Sequence, residues 1–238
     1  MRENYRFSYQ RKGKHIFVPN DECKRRGKDI IEFCAGIELP AYVYHYRSGG
    51  HVAALHAHRE NSFFFRIDLK DFYYSIARNR VTRVLRGLRY RDARTSAEWS
   101  CVKNPYVRPS YTLPIGFVQS PILATLVTLQ SPLVQAIEEA MAEGVLVSLY
   151  FDDFVGSAAD KARLTSAYER ILSACALANF IVNETKLAPP SDAIVAFNCN
   201  LTHQNSEVRL DRIAEFYADV RSTSSAQSFE DYCARVRS

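Results

Sequence analysis

Residues 145–156, VLVSLYFDDFVG, contain the pattern that decides the fold. An apolar run covers 145–151, Asp152 and Asp153 interrupt it, and Val155-Gly156 resume it. Two short β-rich runs joined by so few polar residues predict an antiparallel hairpin with a tight turn. Two carboxylates therefore lie at the end of a buried strand.

A third carboxylate follows another apolar strand. Residues 63–69, FFFRIDL, are aromatic and β-branched, as buried strands are, and Asp68 lies near their end within DLKDFY. Strands far apart in sequence can lie side by side in one sheet, and in that arrangement we expect the carboxylates of Asp68 and Asp152 to converge. A buried carboxylate is costly unless a partner or a metal ion compensates it. Two carboxylates, backbone carbonyls and a triphosphate form an all-oxygen shell suited to Mg²⁺.

Between these strands lies a glycine-bearing loop that opens a helix, PIGFVQSP at 114–121. Because glycine has no Cβ, the backbone of this loop can approach a ligand closely. The long apolar stretch 120–142 predicts a helix with a break at Pro132.

The remaining pattern completes a sheet with helices. Residues 160–179 predict an amphipathic helix, and short strands are expected near 181–187 and 193–201. The order strand, helices, hairpin, helix, strand predicts an α+β fold, a split βαβ antiparallel sheet with helices on one side.

Composition limits the class of protein. The 238 residues are 47% hydrophobic and 24% charged, which supports a globular core and argues against wholesale disorder. The six cysteines contain no CxxC pair, which argues against a disulfide framework or a thiolate zinc site and favours a reducing, cytoplasmic setting. The opening MRENYRFSYQRKGK lacks the apolar segment of a signal peptide, and no run reaches the roughly 18 apolar residues of a membrane span. We therefore expect no membrane partner.

Charge is distributed unevenly along the chain. Residues 1–110 contain 22 Lys and Arg against 11 Asp and Glu, whereas 111–238 contain 9 against 15. A basic half beside an acidic half is typical of a phosphate-binding surface next to a cation site, although a solvated basic surface gives the same count.

These motifs, in this order, resemble the reverse-transcriptase (RNA-directed DNA polymerase) family. DLKDFY resembles its motif A, PIGFVQSP motif B and YFDD motif C. NETKL at 183–187 resembles motif D, and AIVAFNCNLT at 193–202 the motif E hairpin. The upstream YVYHYRSGGHVAALHAH, at 42–58, resembles bacterial retron-like and phage-defence members.

The resemblance implies a catalytic centre. Asp68, Asp152, Asp153 and Lys186 would be catalytic, with Lys186 a proton donor to the pyrophosphate. Asp68, the carbonyl of Leu69, and Asp152 would bind two Mg²⁺ ions, for which Mn²⁺ is a possible substitute. Such a pair lowers the pKa of an attacking 3′-hydroxyl and stabilises the leaving group.

It also implies a nucleotide site. Tyr73, five residues after Asp68, corresponds to a steric gate against a ribose 2′-hydroxyl and favours deoxynucleotides. The full set of implied nucleotide contacts is Tyr73, Gly116, Gln119, Phe151, Lys12, Lys14 and Arg47. Two positions depart from the family pattern: Ile115 replaces a common glutamine, and His15 stands where an arginine usually meets the triphosphate.

The implied architecture is a right-hand polymerase. Fingers would cover 1–65 with 75–112 contributing, the palm 66–74 and 113–205, and a short C-terminal helical remnant of the thumb 206–238. The 28 residues of 211–238 suffice for two short helices around the linker STSSAQ. A vestigial or missing thumb predicts weak processivity, or a second subunit or structured RNA that supplies the grip.

Three further groups have both a functional and a structural interpretation. The arginines after motif A could contact template or structural RNA phosphates, or form a solvated face. The nucleic-acid contacts assigned among them are Arg78, Arg80, Arg83 and Arg86. The histidines His51, His56 and His58 favour a structural role over metal binding. Tyr42, Tyr44 and Tyr46 alternate as on a strand, and core packing is favoured over base stacking.

The sequence thus predicts RNA-templated DNA synthesis, with antiviral defence implied by resemblance alone. Its partners would be an RNA template or structured non-coding RNA, dNTPs and the DNA product. Template-independent or protein-primed DNA synthesis is one alternative, and a catalytically silent RNA-binding scaffold is another. An RNA polymerase is disfavoured by Tyr73 and Tyr150.

Overall fold

A computed structural model describes residues 3–106 and 108–238. The chain forms two compact units, each built from three segments. Unit 1 contains 1–39, 69–134 and 175–181, and unit 2 contains 40–68, 135–174 and 182–238.

The described residues form strands and helices in mixed order. The strands are β1 Tyr5–Arg11, β2 Lys14–Pro19, β3 Phe63–Asp68, β4 Val102–Lys103, β5 Tyr111–Thr112, β6 Leu146–Tyr150, β7 Asp153–Ala158, β8 Ala188–Ser191, β9 Ala193–Ala196, β10 Cys199–Thr202 and β11 Asn205–Val208. The helices are α1 Asp21–Cys34, α2 Gly50–His58, α3 Phe72–Ser75, α4 Arg78–Gly87, α5 Ala93–Ser100, α6 Ser120–Leu129, α7 Leu133–Ala142, α8 Lys161–Leu177, α9 Leu210–Tyr217 and α10 Thr223–Arg237. Short 3₁₀ turns cover Tyr44–Tyr46 and Glu184–Lys186.

Unit 2 is built on an antiparallel sheet with strand order β6-β7-β3-β8. β3 lies between β7 and β8, which explains why most of its residues are apolar: Phe64, Phe65 and Ile67 are fully buried. Gly156 faces the Phe65 ring so closely that a Cβ there would lie 2.2 Å from a ring carbon. A second sheet, β11-β10-β9, shares an apolar core with α2, and Val236 of α10 is buried in it. This packing fixes the ends of β3 and β7, where the aspartates lie.

Unit 1 contains a hairpin and a helical layer. β1 and β2 pair antiparallel, and the turn Lys12-Gly13 has positive φ at both residues, as a two-residue hairpin turn requires. Phe17, Cys23, Tyr74, Val102 and Phe117 form a buried cluster behind it.

The predicted α+β fold with an antiparallel sheet is confirmed, and the helix 120–142 breaks around Pro132 into α6 and α7 as expected. The turn of the YFDD hairpin is Phe151-Asp152, since Asp153 already belongs to β7. Among the described residues no helix alone is long and apolar enough to cross a membrane, and α6 with α7 qualifies only as a bent pair.

Three local predictions are wrong. Tyr44 and Tyr46 lie in a 3₁₀ turn rather than on a strand, although Tyr42 still accepts a backbone hydrogen bond from Leu149. The strand expected at 181–187 begins later, as β8, whose prolines are tolerated because β8 is an edge strand. The expected linker STSSAQ instead begins α10, because the Ser222 side chain accepts from the Ser225 amide and caps it.

Candidate active site

The carboxylates of unit 2 meet where β3 and β7 run side by side. Asp68 and Asp153 are directly opposite each other in the antiparallel register. The Asp68 side chain is only 3% exposed and that of Asp153 only 15%. Asp152 precedes Asp153 in the turn and is half-buried. The predicted neighbouring strand ends are therefore present, and the residue opposite Asp68 is Asp153, with Asp152 next to it in the turn.

A buried arginine joins two of these carboxylates. Arg66 Nε and Nη2 lie 2.7 and 2.6 Å from Asp153 Oδ1, and Nη2 lies 3.5 Å from Asp68 Oδ2. Arg66 Nη1 also donates to the Val195 carbonyl at 3.3 Å. Burial raises the pKa of Asp153, and the Arg66 guanidinium opposes that rise, whereas the charges of Asp152 and Asp68 add to it.

The motif D segment provides the remaining partners of Asp68. Lys186 Nζ lies 2.9 Å from Asp68 Oδ2, and Asn183 Nδ2 donates to Oδ1 at 2.9 Å. The Asn183 amide also donates to the Asp68 carbonyl at 2.8 Å. Lys186 is about half exposed, so its ammonium reaches the carboxylate from the solvent side. The predicted proton donor thus lies beside the predicted metal ligand.

An imidazole holds the turn of the YFDD hairpin. Phe151 has φ +56°, a strained conformation for a bulky residue. Its amide donates to His45 Nδ1 at 3.1 Å, and the two rings lie 4.2 Å apart. The same nitrogen is 3.3 Å from the Leu149 carbonyl, but an amide can only donate, so Nδ1 is unprotonated. Burial lowers the pKa of His45 to about 4, which keeps it an acceptor at neutral pH.

A second imidazole links the helix before β3 to the hairpin strands. His58, at the end of α2, is fully buried. Its Nδ1 and Nε2 each lie 2.8 Å from a serine hydroxyl, Ser157 on β7 and Ser148 on β6. Burial lowers the pKa of His58 to about 3. His51 contacts the Tyr232 hydroxyl at 3.1 Å, and His56 lies 3.4 Å from the Val236 carbonyl.

The donor set fits a hard divalent cation. Asp68 and Asp153 contact the cations Arg66 and Lys186, and the charge of Asp152 also acts on Asp153, so the cluster has an excess negative charge. In the part of the chain that the structure describes, no group of three or more His, Cys, Asp or Glu side chains is placed to hold a metal ion. Mg²⁺ is usually held by one or two carboxylates together with substrate phosphates, so an open carboxylate pair is the arrangement it needs.

Several predicted site residues lie in unit 1. Leu69 is buried directly after β3, and Tyr73 is half-buried on α3 with its ring 5.4 Å from Phe72. At Gly116, with φ +109°, a Cβ would lie 2.2 Å from the Phe17 carbonyl. Gln119 is 1% exposed, and its Nε2 lies 3.3 Å from Ser100 Oγ. The backbone at Gly116 therefore lies close to β2, and Gln119 packs inside unit 1. Nucleotide contacts for both residues stay predictions.

The predicted basic contacts divide between the units. Lys12 and Lys14 are exposed on the hairpin turn of unit 1. Arg47 belongs to unit 2, where its guanidinium stacks 4.6 Å over the Tyr44 ring. On α4, Arg83 and Arg86 are exposed, Arg78 lies over the Tyr111 ring, and Arg80 is directed towards Phe180.

Arg66, His45 and Asn183 had no role predicted from the sequence, whereas His58 was expected to be structural, and its buried contacts with Ser157 and Ser148 agree with that. Arg66 carried a signal, because it is the one basic residue inside the apolar strand FFFRID and such a charge needs a partner. His45 carried none, because its ring meets Phe151 only after 106 residues of chain have folded.

Comparison with known proteins identifies the family and the fold. Residues 18–192 match the family model of the reverse transcriptase (RNA-dependent DNA polymerase). No curated protein sequence matches the chain. The foamy viral protease-reverse transcriptase, solved with double-stranded DNA, has a TM-score of 0.52 at 14% identity over 93% of this chain and 33% of its own.

Telomerases share the fold. The Candida albicans enzyme, solved with a telomeric RNA fragment, gives a TM-score of 0.54 at 12% identity over 79% of this chain and 37% of its own. The Candida tropicalis telomerase gives a TM-score of 0.52 at 13% identity over 76% of this chain and 43% of its own. This chain spans less than half the length of each of these three structures. The family match extends over well more than half of the sequence, and the chain belongs to the reverse transcriptase (RNA-dependent DNA polymerase) family.

Proposed function

We propose that this chain is a reverse transcriptase that adds deoxynucleotides to a 3′-hydroxyl on an RNA template. The observation that carries the proposal is the opposed pair Asp68 and Asp153 at the ends of β3 and β7, with Asp152 in the adjoining turn. Such a cluster is costly to bury without a cation, and Arg66 and Lys186 offset only part of its charge.

The chain's own residues have distinct roles in this proposal. Asp68 and Asp152, with the Leu69 carbonyl, would hold two Mg²⁺ ions, which would supply the acidity at the 3′-hydroxyl and the charge that stabilises the leaving pyrophosphate. Mn²⁺ is the expected substitute, since reverse transcriptases use divalent metal ions. Asp153, fixed by Arg66, keeps the turn charged and rigid. Lys186 gives a proton to the departing pyrophosphate.

Selection of the nucleotide falls to other residues. Tyr73 excludes a ribose 2′-hydroxyl, and Lys12, Lys14 and Arg47 neutralise the triphosphate. Gly116 and Phe151 border the base and sugar. The fingers, palm and thumb remnant follow the boundaries given above, and a structured RNA or second subunit provides the grip that a full thumb would give. A role in phage defence follows from the retron-like segment at 42–58.

Primer extension tests this proposal. A labelled DNA primer on an RNA template is incubated with Mg²⁺ and dNTPs, beside reactions with NTPs, with no template, and with Asp152→Asn. We expect template-dependent dNTP incorporation that falls by at least about a thousandfold in the variant, as losses of transition-state charge stabilisation do. Lys161→Gln, an exposed change on α8, is the matched control.

The other outcomes separate the alternatives. Incorporation without template points to untemplated or protein-primed synthesis. A folded chain that binds RNA and incorporates nothing, even with its co-purified native RNA, contradicts the proposal and favours a scaffold.

A further inference from the structure

We propose that the β1–β2 hairpin of unit 1 presents a stacking surface for the unpaired bases of a single-stranded nucleic acid. The identity of the ligand as nucleic acid rests on the proposed function. The surface consists of the Phe7 and Tyr9 rings and the cations Arg11 and Lys14, and we call it the hairpin face.

Two aromatic rings of β1 are exposed without a structural reason. Phe7 is 56% exposed and Tyr9 44%. Because they are two residues apart on one strand, they lie on the same face, with ring centroids 6.3 Å apart. Tyr5, on the same strand, packs instead against the buried Phe17 ring at 5.0 Å. The core is therefore closed without Phe7 and Tyr9.

The charge around these rings has one sign. Residues 5–19 contain four Lys and Arg and not one Asp or Glu. Arg6 is paired with Asp21 at 2.6 Å on α1. Arg11 and Lys14 pair across the strands beside the turn and form no ion pair with any described residue. The hairpin face thus combines two exposed rings with two cations that form no ion pair among the described residues. Such a surface is complementary to a polyanion that carries flat apolar groups.

Single-stranded nucleic acid is the polyanion that fits best. Every unpaired base has a π-face that stacks on an aromatic ring whatever its sequence, while the phosphates interact with nearby cations. A duplex presents mainly phosphates and buries its base faces, so exposed rings would add little to its binding. An acidic protein would bind the cations but has no equivalent use for two solvent-facing rings.

The test compares probes that have the same charge and differ in bases. Fluorescence anisotropy is measured with dT12, a 12-mer RNA, a 12-mer abasic strand and a duplex of equal length. The variants are Phe7→Leu/Tyr9→Leu, Arg11→Gln/Lys14→Gln and, as a control, Phe33→Leu, which changes a ring of unit 1 with similar exposure. Circular dichroism and thermal unfolding confirm that each variant is folded.

We expect the ring variant to weaken binding of dT12 and the RNA 12-mer by about tenfold per ring and to leave abasic and duplex binding unchanged. The charge variant weakens all four probes and lowers the salt dependence. Equal loss for dT12 and the abasic strand, or no loss in the ring variant, overturns the proposal.

Primer extension on the same variants separates this inference from the proposed function. If the wild-type chain incorporates no nucleotide but its ring variant loses base-dependent binding, the proposed hairpin face is supported and the proposed polymerase activity is contradicted. If the chain polymerises but its ring variant binds dT12 as tightly as the wild type does, only the hairpin-face proposal is contradicted.

Discussion

The carboxylate cluster of unit 2 and the basic elements of unit 1 hold their charges in opposite ways. Asp68 and Asp153 are buried and bonded to Arg66, Lys186 and Asn183. Arg83 and Arg86 on α4 are exposed and form no ion pair within the described residues. The first arrangement is organised before any ligand arrives, as catalysis requires. The second leaves its charges for an external partner, as phosphate binding requires.

The largest expected effect is at Arg66, where the internal organisation would be broken. Arg66→Gln leaves the buried Asp153 carboxylate without its cation and removes one of the two cations that contact Asp68. We therefore expect the free energy of unfolding to fall by about 3–5 kcal/mol. Arg66→Lys keeps the charge but loses the forked geometry and should cost less. Urea unfolding measures both. The unit 1 control, Arg83→Gln, is expected to change stability by less than about 0.5 kcal/mol. Arg66→Gln within the range of that control would show that the cluster is not held as the structure indicates.

Acid should destabilise unit 2 through His58. Its folded pKa of about 3 lies below the unfolded value of 6.5, so only the unfolded chain binds the proton between these pH values. Stability is fully present above pH 6.5 and falls as pH decreases, by roughly 2 kcal/mol at pH 5 from this residue alone. Unfolding at pH 7.5 and pH 5 is compared with His58→Gln, which keeps polar atoms between Ser148 and Ser157 but cannot titrate. A variant with the same pH dependence as the wild type contradicts the assignment.

His45 offers a sharper test, because its contact is with the turn itself. His45→Ala leaves the Phe151 amide without its acceptor, so we expect kcat to fall by about ten- to a hundredfold. His45→Asn offers a side-chain oxygen and should recover part of the rate. KM for dNTP should change little, since the binding residues are intact.

A merely structural role for His45 predicts a different pattern. Stability would fall, and kcat per folded molecule would stay constant in both variants. Measuring kcat, KM and the thermal midpoint together distinguishes the two cases. Unchanged kcat in His45→Ala excludes a role for His45 in positioning the YFDD turn.

The same contrast explains what the sequence could predict. Local patterns predicted β3, the β6–β7 hairpin and the convergence of Asp68 with the YFDD turn, because strand periodicity and turn residues act over a few positions. Arg66 was readable only as an anomaly in an apolar strand. His45 and Asn183 reach their partners after 106 and 115 residues, and no local pattern encodes such a contact. The strand predicted for Tyr42 to Tyr46 was wrong because three alternating tyrosines do not by themselves specify a strand, and Tyr44–Tyr46 form a 3₁₀ turn.

The smallest expected effect on stability, and the one that completes the comparison, is on α4. Arg83→Gln/Arg86→Gln removes two exposed charges, so folding and kcat at saturating primer-template should stay near the wild-type values. Neutralising each arginine that touches a phosphate should reduce the slope of log K against log salt by about 0.9 on a duplex, so the double variant should lower it by about 2. The slope is measured by titrating the protein into a labelled primer-template at salt concentrations from about 50 to 200 mM.

A carboxylate beside these arginines gives a second test. Among the described residues that line the groove, Glu98 is the one carboxylate, so Glu98→Gln should strengthen binding if α4 contacts phosphate. An unchanged slope in the double variant, with unchanged affinity in Glu98→Gln, would mean that the exposed arginines of unit 1 form a solvated face and that the phosphate-binding charge lies elsewhere.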